Sequence, residues 1–147
     1  MRLIAEVQLE YVRRYGGGDD TPLDPGVFDP PAGSFFVAYL GRAGRPEPVA
    51  TGAWRRRADV TALGSTHTAE IKRMYVRPAA QRRGLARRML THLEATARAA
   101  GAEVMILETG DQQPEAIALY TSAGYTPIAG FGHYRDSPVN RCFAARL

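Results

Sequence analysis

Apolar positions along this chain recur with two periods, and the switches between them mark its elements. Leu3, Val7 and Tyr11 stand at i, i+4 and i+8 with Ile4 and Val12 beside them, which predicts a helix over residues 3–15. Gly16, Gly17 and Gly18 stop it. Residues 19–34 are rich in Asp, Pro and Gly and carry no period, so a long surface loop is expected. Residues 34–40, aromatic and β-branched, and residues 49–57 read as two strands of an antiparallel hairpin. A loop over 59–68 leads to a third strand, 69–76. Alternation there puts Glu70, Lys72, Met74 and Val76 on one face and Ile71, Arg73 and Tyr75 on the other.

The helical period then returns. Leu85, Met89, Leu93 and Ala97 form an apolar stripe, widened by Leu90 and Ala100, which predicts an amphipathic helix from Leu85 to about Ala100. Glu94 and Arg98 make an i, i+4 pair on its wet side, and Gly101 closes it. Val104 to Leu107 is a continuous apolar run, as expected of a strand covered on both faces. Pro114 suits the first turn of another helix, ending near Gly124. A short strand over 125–128, a loop over 130–138 with His133, Tyr134 and Arg135, and a last strand over 140–147 complete the chain.

A chain of 147 residues with this pattern reads as one α/β (α+β) domain, residues 1–147. No apolar run approaches a membrane span and no signal pattern opens the chain, so a cytoplasmic protein is expected. Cys142 is the single cysteine, and no histidine pair has ligand spacing, so no metal is expected. The net charge of +4 is nearly all arginine, in two clusters, Arg55-Arg56-Arg57 and Arg82 to Arg88. Neither cluster interleaves aromatics, so nucleic acid is not an expected partner. The first cluster reads as a solvated strand end.

The second cluster surrounds Gln81-Arg82-Arg83-Gly84-Leu85-Ala86, between the third strand and the amphipathic helix. Pro78 stops the strand, and Gly84 lets the backbone come close to a ligand. Free N–H groups and the helix dipole there point at the same place, which makes an anion site. A cofactor pyrophosphate fits it.

This stretch resembles the Gln/Arg-x-x-Gly-x-Gly/Ala signature of the GNAT superfamily of N-acetyltransferases. The order around it adds to the likeness: Met74-Tyr75-Val76-Arg77-Pro78 before, and Ala116-Ile117-Ala118-Leu119-Tyr120 and Ala123-Gly124-Tyr125 after. The resemblance covers residues 69–128. It implies a mixed, mostly antiparallel central sheet flanked by helices, with acetyl-CoA as co-substrate and a small-molecule or peptide amine as acceptor. It further implies that the backbone of Met74, Tyr75 and Val76 pairs with the pantetheine arm. Gln81, Arg82, Arg83, Gly84, Leu85, Ala86 and Arg87 would hold the pyrophosphate. Gln113 stands where the family often has asparagine. Members usually begin with a strand, and here the first helix starts almost at Met1. A first strand is therefore expected to be missing, with the exposed sheet edge covered by a loop or by a second subunit in a homodimer.

Acetyl transfer to an amine needs a proton acceptor, donors for the oxyanion and a proton for the thiolate. Glu70, on the strand that feeds the turn, is the candidate base. Tyr120, in the Ala-x-x-Leu-Tyr position, is the candidate acid. Each has a structural alternative: a surface carboxylate paired with arginine, and a core tyrosine beside Ile117. The competing functional reading is a GNAT-fold module that binds acetyl-CoA or CoA without catalysis. For the acceptor, Arg73 and Arg135 favour an amine bearing a carboxylate, and Asp19, Asp20, Asp24 and Asp29 favour a cationic one.

Overall fold

The computed structural model describes residues 25–42, 45–132 and 136–147. The helix expected over 3–15, its glycine stop, most of the following loop, and His133, Tyr134 and Arg135 lie outside them. The described strands are β1 (Gly33–Arg42), β2 (Arg45–Arg56), β3 (Thr68–Val76), β4 (Val104–Gly110), β5 (Thr126–Ile128) and β6 (Asn140–Arg146). The helices are α1 (Leu85–Ala99) and α2 (Pro114–Ser122), with short 3-10 turns at Pro25–Phe28 and Pro78–Ala80. The strands form one mixed sheet in the order β1-β2-β3-β4-β6-β5. All neighbours pair antiparallel except β3 and β4. Among the described residues β1 and β5 are the outer strands. The expected missing first strand and its cover turn on residues outside that set.

The apolar stripe of α1 packs on one sheet face. Met89, Leu90, Leu93 and Ala97 are buried there with Ala50, Trp54, Ile71, Met105 and Leu107. The Trp54 indole donates to the Thr96 hydroxyl at 3.0 Å, which satisfies a polar group inside this packing. Gly52 sets the approach of α1 to the sheet. A Cβ on it would stand 2.7 Å from Cγ and 2.8 Å from Sδ of Met89. The other face has a smaller core of Val60, Ala62, Val104, Ile106 and Ala144, roofed by the loops before β3 and after β5. Burial on both faces explains the unbroken apolar run of β4.

Three expectations are corrected. The alternation along β3 breaks at Arg73, whose φ is +57°, where the β2–β3 register slips between Thr51 and Ala53. This bulge turns Met74 and Val76 onto the α1 core, away from the face that carries Glu70 and Lys72. The arginine run at the end of β2 is also not a merely solvated strand end. Arg56 donates from Nε to the Pro31 carbonyl at 2.9 Å and from Nη2 to the Ala100 carbonyl, tying the end of α1 to the start of β1. Arg55 and Arg57 turn into the sheet face opposite α1. In the same way, Glu94 accepts a 2.9 Å hydrogen bond from the Tyr125 hydroxyl, so it serves the packing of α1 against the end of α2. Burial, with Glu94 next, pushes the Tyr125 phenol far up.

Candidate active site

The parallel pair β3–β4 is short. It joins Thr68, Ala69 and Glu70 to Val104, Met105 and Ile106, and there it ends. Beyond that rung the strands part, and a cleft of about 460 Å³ opens between Ile71–Val76 on one side and Leu107, Glu108 and Thr109 on the other. Strand backbone facing a gap presents donors and acceptors to whatever enters it.

At its outer end the cleft meets the turn before α1. Arg82 and Gly84 both have left-handed backbones, with φ of 63° and 74°. Nothing stands within 4 Å of the position a Gly84 Cβ would take. Gly84 is the N-cap of α1, without a side-chain cap, and no acidic residue lies in the first turn. Arg87 and Arg88 lie there instead, next to the positive end of the helix dipole. That placement is unfavourable by roughly 0.3–1 kcal/mol per charge at an empty helix start and becomes favourable once an anion binds. The Gln81 amide donates to the Val76 carbonyl at 3.1 Å, closing the turn onto β3. Arg87 donates to the Ser122 hydroxyl at 2.5 Å, bridging the two helices beside the cleft.

Of the residues selected from the sequence, Met74, Tyr75, Val76, Gln81, Arg82, Gly84, Leu85, Ala86, Arg87, Gln113 and Tyr120 line this cleft. Arg83 and Glu70 are not among its lining residues. Tyr120 is buried on the α1 side, its ring 5.6 Å from that of Tyr125.

Glu70 lies on the opposite face, at the last paired rung, with no exposed surface. Its Oε1 accepts from Arg55 Nε at 2.9 Å and Nη2 at 2.8 Å, and from Arg57 Nη1 at 2.8 Å. Its Oε2 is buried with no partner among the described residues. Arg57 also holds Asp59 through two bonds of 2.9 Å, and its guanidinium lies 5.6 Å from the Phe131 ring centre. The Asp59 bond, with help from Glu70, raises the Arg57 pKa against the opposing effect of burial. The same bond lowers that of Asp59.

A second carboxylate, Glu108, shares this face and was not singled out from the sequence. The cue was present: a carboxylate directly ends the apolar run of β4. Burial, and then the charge of Glu70, push its pKa up, against lowering by Lys72, an Asn140 hydrogen bond and Arg57. Gly132 covers it, since a Cβ there would fall 1.6 Å from Oε1. Cys142, opposite Glu108 on β6, has its thiol pKa raised by burial first and by Glu108 next, which keeps it protonated and poorly nucleophilic.

Among the described residues, the mixed sheet opens at its one parallel seam, and the cleft there ends on an arginine-flanked helix start, an α/β arrangement. The model of the Acetyltransferase (GNAT) family matches residues 3–125, and the chain belongs to that family. It is 42% identical over 71 residues to an IAA acetyltransferase of Azospirillum brasilense. That match spans 48% of this chain and 46% of the relative, so under half of the relative is represented. Among solved structures, a Klebsiella pneumoniae protein assigned as an acyl-CoA N-acyltransferase superposes with a TM-score of 0.75 at 27% identity, over 99% of this chain and 88% of that one. A GNAT-family acetyltransferase of Staphylococcus aureus gives a TM-score of 0.73 at 15% identity, over 99% and 92%. At that identity the likeness is one of fold.

Proposed function

We propose that this protein transfers the acetyl group of acetyl-CoA to a primary amine of a small molecule or peptide by direct attack. The observation that carries the reading is the three-rung β3–β4 seam opening into a cleft that ends on the turn at Gly84. The pantetheine arm would complete the parted strands along Met74, Tyr75 and Val76, with Gln113 across the cleft. The pyrophosphate would meet the backbone N–H groups of the turn and the guanidinium groups of Arg82, Arg83 and Arg87. An anion there relieves the uncompensated positive charge at the start of α1.

In the reaction the amine nitrogen attacks the thioester carbonyl, its proton passes to the acidic pair Glu70 and Glu108, and the C–S bond breaks. Tyr120, lining the cleft on the α1 side, would protonate the departing thiolate. The raised pKa of Glu108 makes it a better base near neutral pH than a solvated carboxylate. Because both carboxylates and the tyrosine are present, a transferase is favoured over a module that only binds CoA.

The test begins with a thermal-shift titration using acetyl-CoA, CoA and an adenine nucleotide as control. A ligand that binds only the folded state adds about 2.7 kcal/mol at a hundredfold excess over Kd. A saturable shift with acetyl-CoA, followed by release of free thiol with an amine from a broad panel, is the expected result. A cooperative melt that acetyl-CoA leaves unmoved would overturn the reading.

A further inference from the structure

We propose that Glu108 is the carboxylate that takes the acceptor's proton, directly or through one water, and that Glu70, clamped by Arg55 and Arg57, is a positioning residue that acts through it. This rests on the transferase reading above and divides the labour within its acidic pair.

Three observations separate the two carboxylates. Glu70 stands on the last paired rung of the seam, below the point where the strands part, and does not line the cleft. Glu108 stands two residues beyond that rung on β4 and does line it. Glu70 is also committed, since three N–H groups from two arginines converge on one of its oxygens. Taking a proton would weaken both of those ion pairs inside the protein, where a broken pair is costly. Among the described residues, Glu108 has no guanidinium partner in an ion pair, and its Oε2 is buried with no hydrogen-bond partner.

The groups facing Glu108 come from every element around it. Glu70 and Lys72 face it from β3, Arg57 from the segment after β2, and Cys142 and Asn140 from β6. Among the described residues of the loop after β5, Gly132 meets it and brings no charge. The negative charge of Glu70 makes the Glu108 carboxylate more basic, and Lys72 makes it less so. Arg55 and Arg57 therefore act at one remove, by holding the Glu70 charge in place. In the step itself, an N–H of the bound ammonium breaks, its proton ends on Glu108 and its electron pair stays on nitrogen. The neutral amine then forms the C–N bond to the thioester carbonyl, the C–S bond breaks, and the second nitrogen proton is balanced by the one the thiolate takes through Tyr120.

The experiment is the pH profile of kcat/KM for wild type, Glu108→Gln, Glu70→Gln and Lys72→Met, beside a ¹³C titration of the Glu108 carboxyl in each protein that retains it. Glu108→Gln is expected to lose the acid limb and about 10²–10³-fold in rate. Glu70→Gln is expected to keep the limb but move it to lower pH, because a neighbouring negative charge is gone. Lys72→Met moves it to higher pH, because a positive charge is gone, and it gives the answer if Glu70→Gln fails to fold. The mirror result, with the limb lost in Glu70→Gln and only moved in Glu108→Gln, would overturn the proposal. So would a Glu108 carboxyl that titrates in the ordinary glutamate range. Failure of the transferase reading looks different: acetyl-CoA binds and no amine releases thiol, while the carboxyl titration can still be read.

Discussion

The Thr51 hydroxyl donates to the Arg73 carbonyl at 2.6 Å, across the point where β2 and β3 slip register. The bond ties the bulge of β3 to β2 at this point. Thr51→Val keeps the shape and removes the donor. Loss of one such hydrogen bond costs about 0.5–1.5 kcal/mol. The variant is expected to melt earlier and bind acetyl-CoA more weakly, because Met74 and Val76 depend on the bulge for their orientation. Calorimetric melting and a binding titration check both effects; unchanged values would mean that the bulge holds without Thr51.

Gly84→Ala separates binding from folding. The positive φ costs an alanine roughly 1 kcal/mol. The added methyl meets nothing in the protein, since no atom lies within 4 Å of its position. In the proposed binding mode it takes space that a phosphate would use. Affinity for acetyl-CoA should fall more than tenfold while the melting temperature drops by only a few degrees. Equal loss of both would point to a folding defect.

Arg57 is expected to matter more than an ordinary surface arginine. It holds Asp59 with two bonds and Glu70 with a third, beneath Phe131. Arg57→Met should destabilise the protein by about 2 kcal/mol, the range of hydrogen bonds to charged groups. Arg55 still pairs with Glu70 and limits the loss. Arg57→Lys should recover little, because an ammonium cannot reproduce the planar fork. Denaturant melts of the two variants give the comparison.

Glu108 leaves a signature in stability as well as in rate. Its folded pKa is raised above the unfolded one. Below both values the group is protonated in either state and contributes nothing. As pH rises from the unfolded value through the folded one, the unfolded chain releases its proton first, so stability falls and then levels off. Glu108→Gln should therefore melt higher than wild type at pH 8 and no higher at pH 4. A difference that is the same at both pH values would show that the group is not coupled to folding in this way.

Much of the fold from Thr68 onward can be read in the sequence because local signals there agree with tertiary packing. Leu85, Met89, Leu93 and Ala97 announce α1, Pro114 opens α2, and the apolar run of β4 announces a strand buried on both faces. The faces of β3 were not legible. Its bulge depends on Gly52 and Thr51 of the neighbouring strand, and strict alternation has no means of including them. The roles of Arg55 and Arg57 were hidden for a related reason. A charge run at a strand end is usually solvated, and only the buried Glu70 opposite makes this one structural. Cleft residues near Gly84 were legible because a turn, its glycine and its helix are contiguous. For Glu108 the sequence carried only the cue of a carboxylate ending the apolar run of β4; its proximity to Glu70 arises only when β3 and β4 pair.

The seam at Glu70 and Ile106 also divides the sheet mechanically. On one side lie β1, β2 and β3, on the other β4, β6 and β5, and three rungs stitch the two blocks together. A molecule lying along the parted strands would act as a splint, supplying the missing stitches to both blocks at once. Ligand occupancy and sheet rigidity then become one variable. Amide protons of Met74 to Val76 and of Leu107 to Thr109 are the ones whose exchange should slow together when the splint is in place.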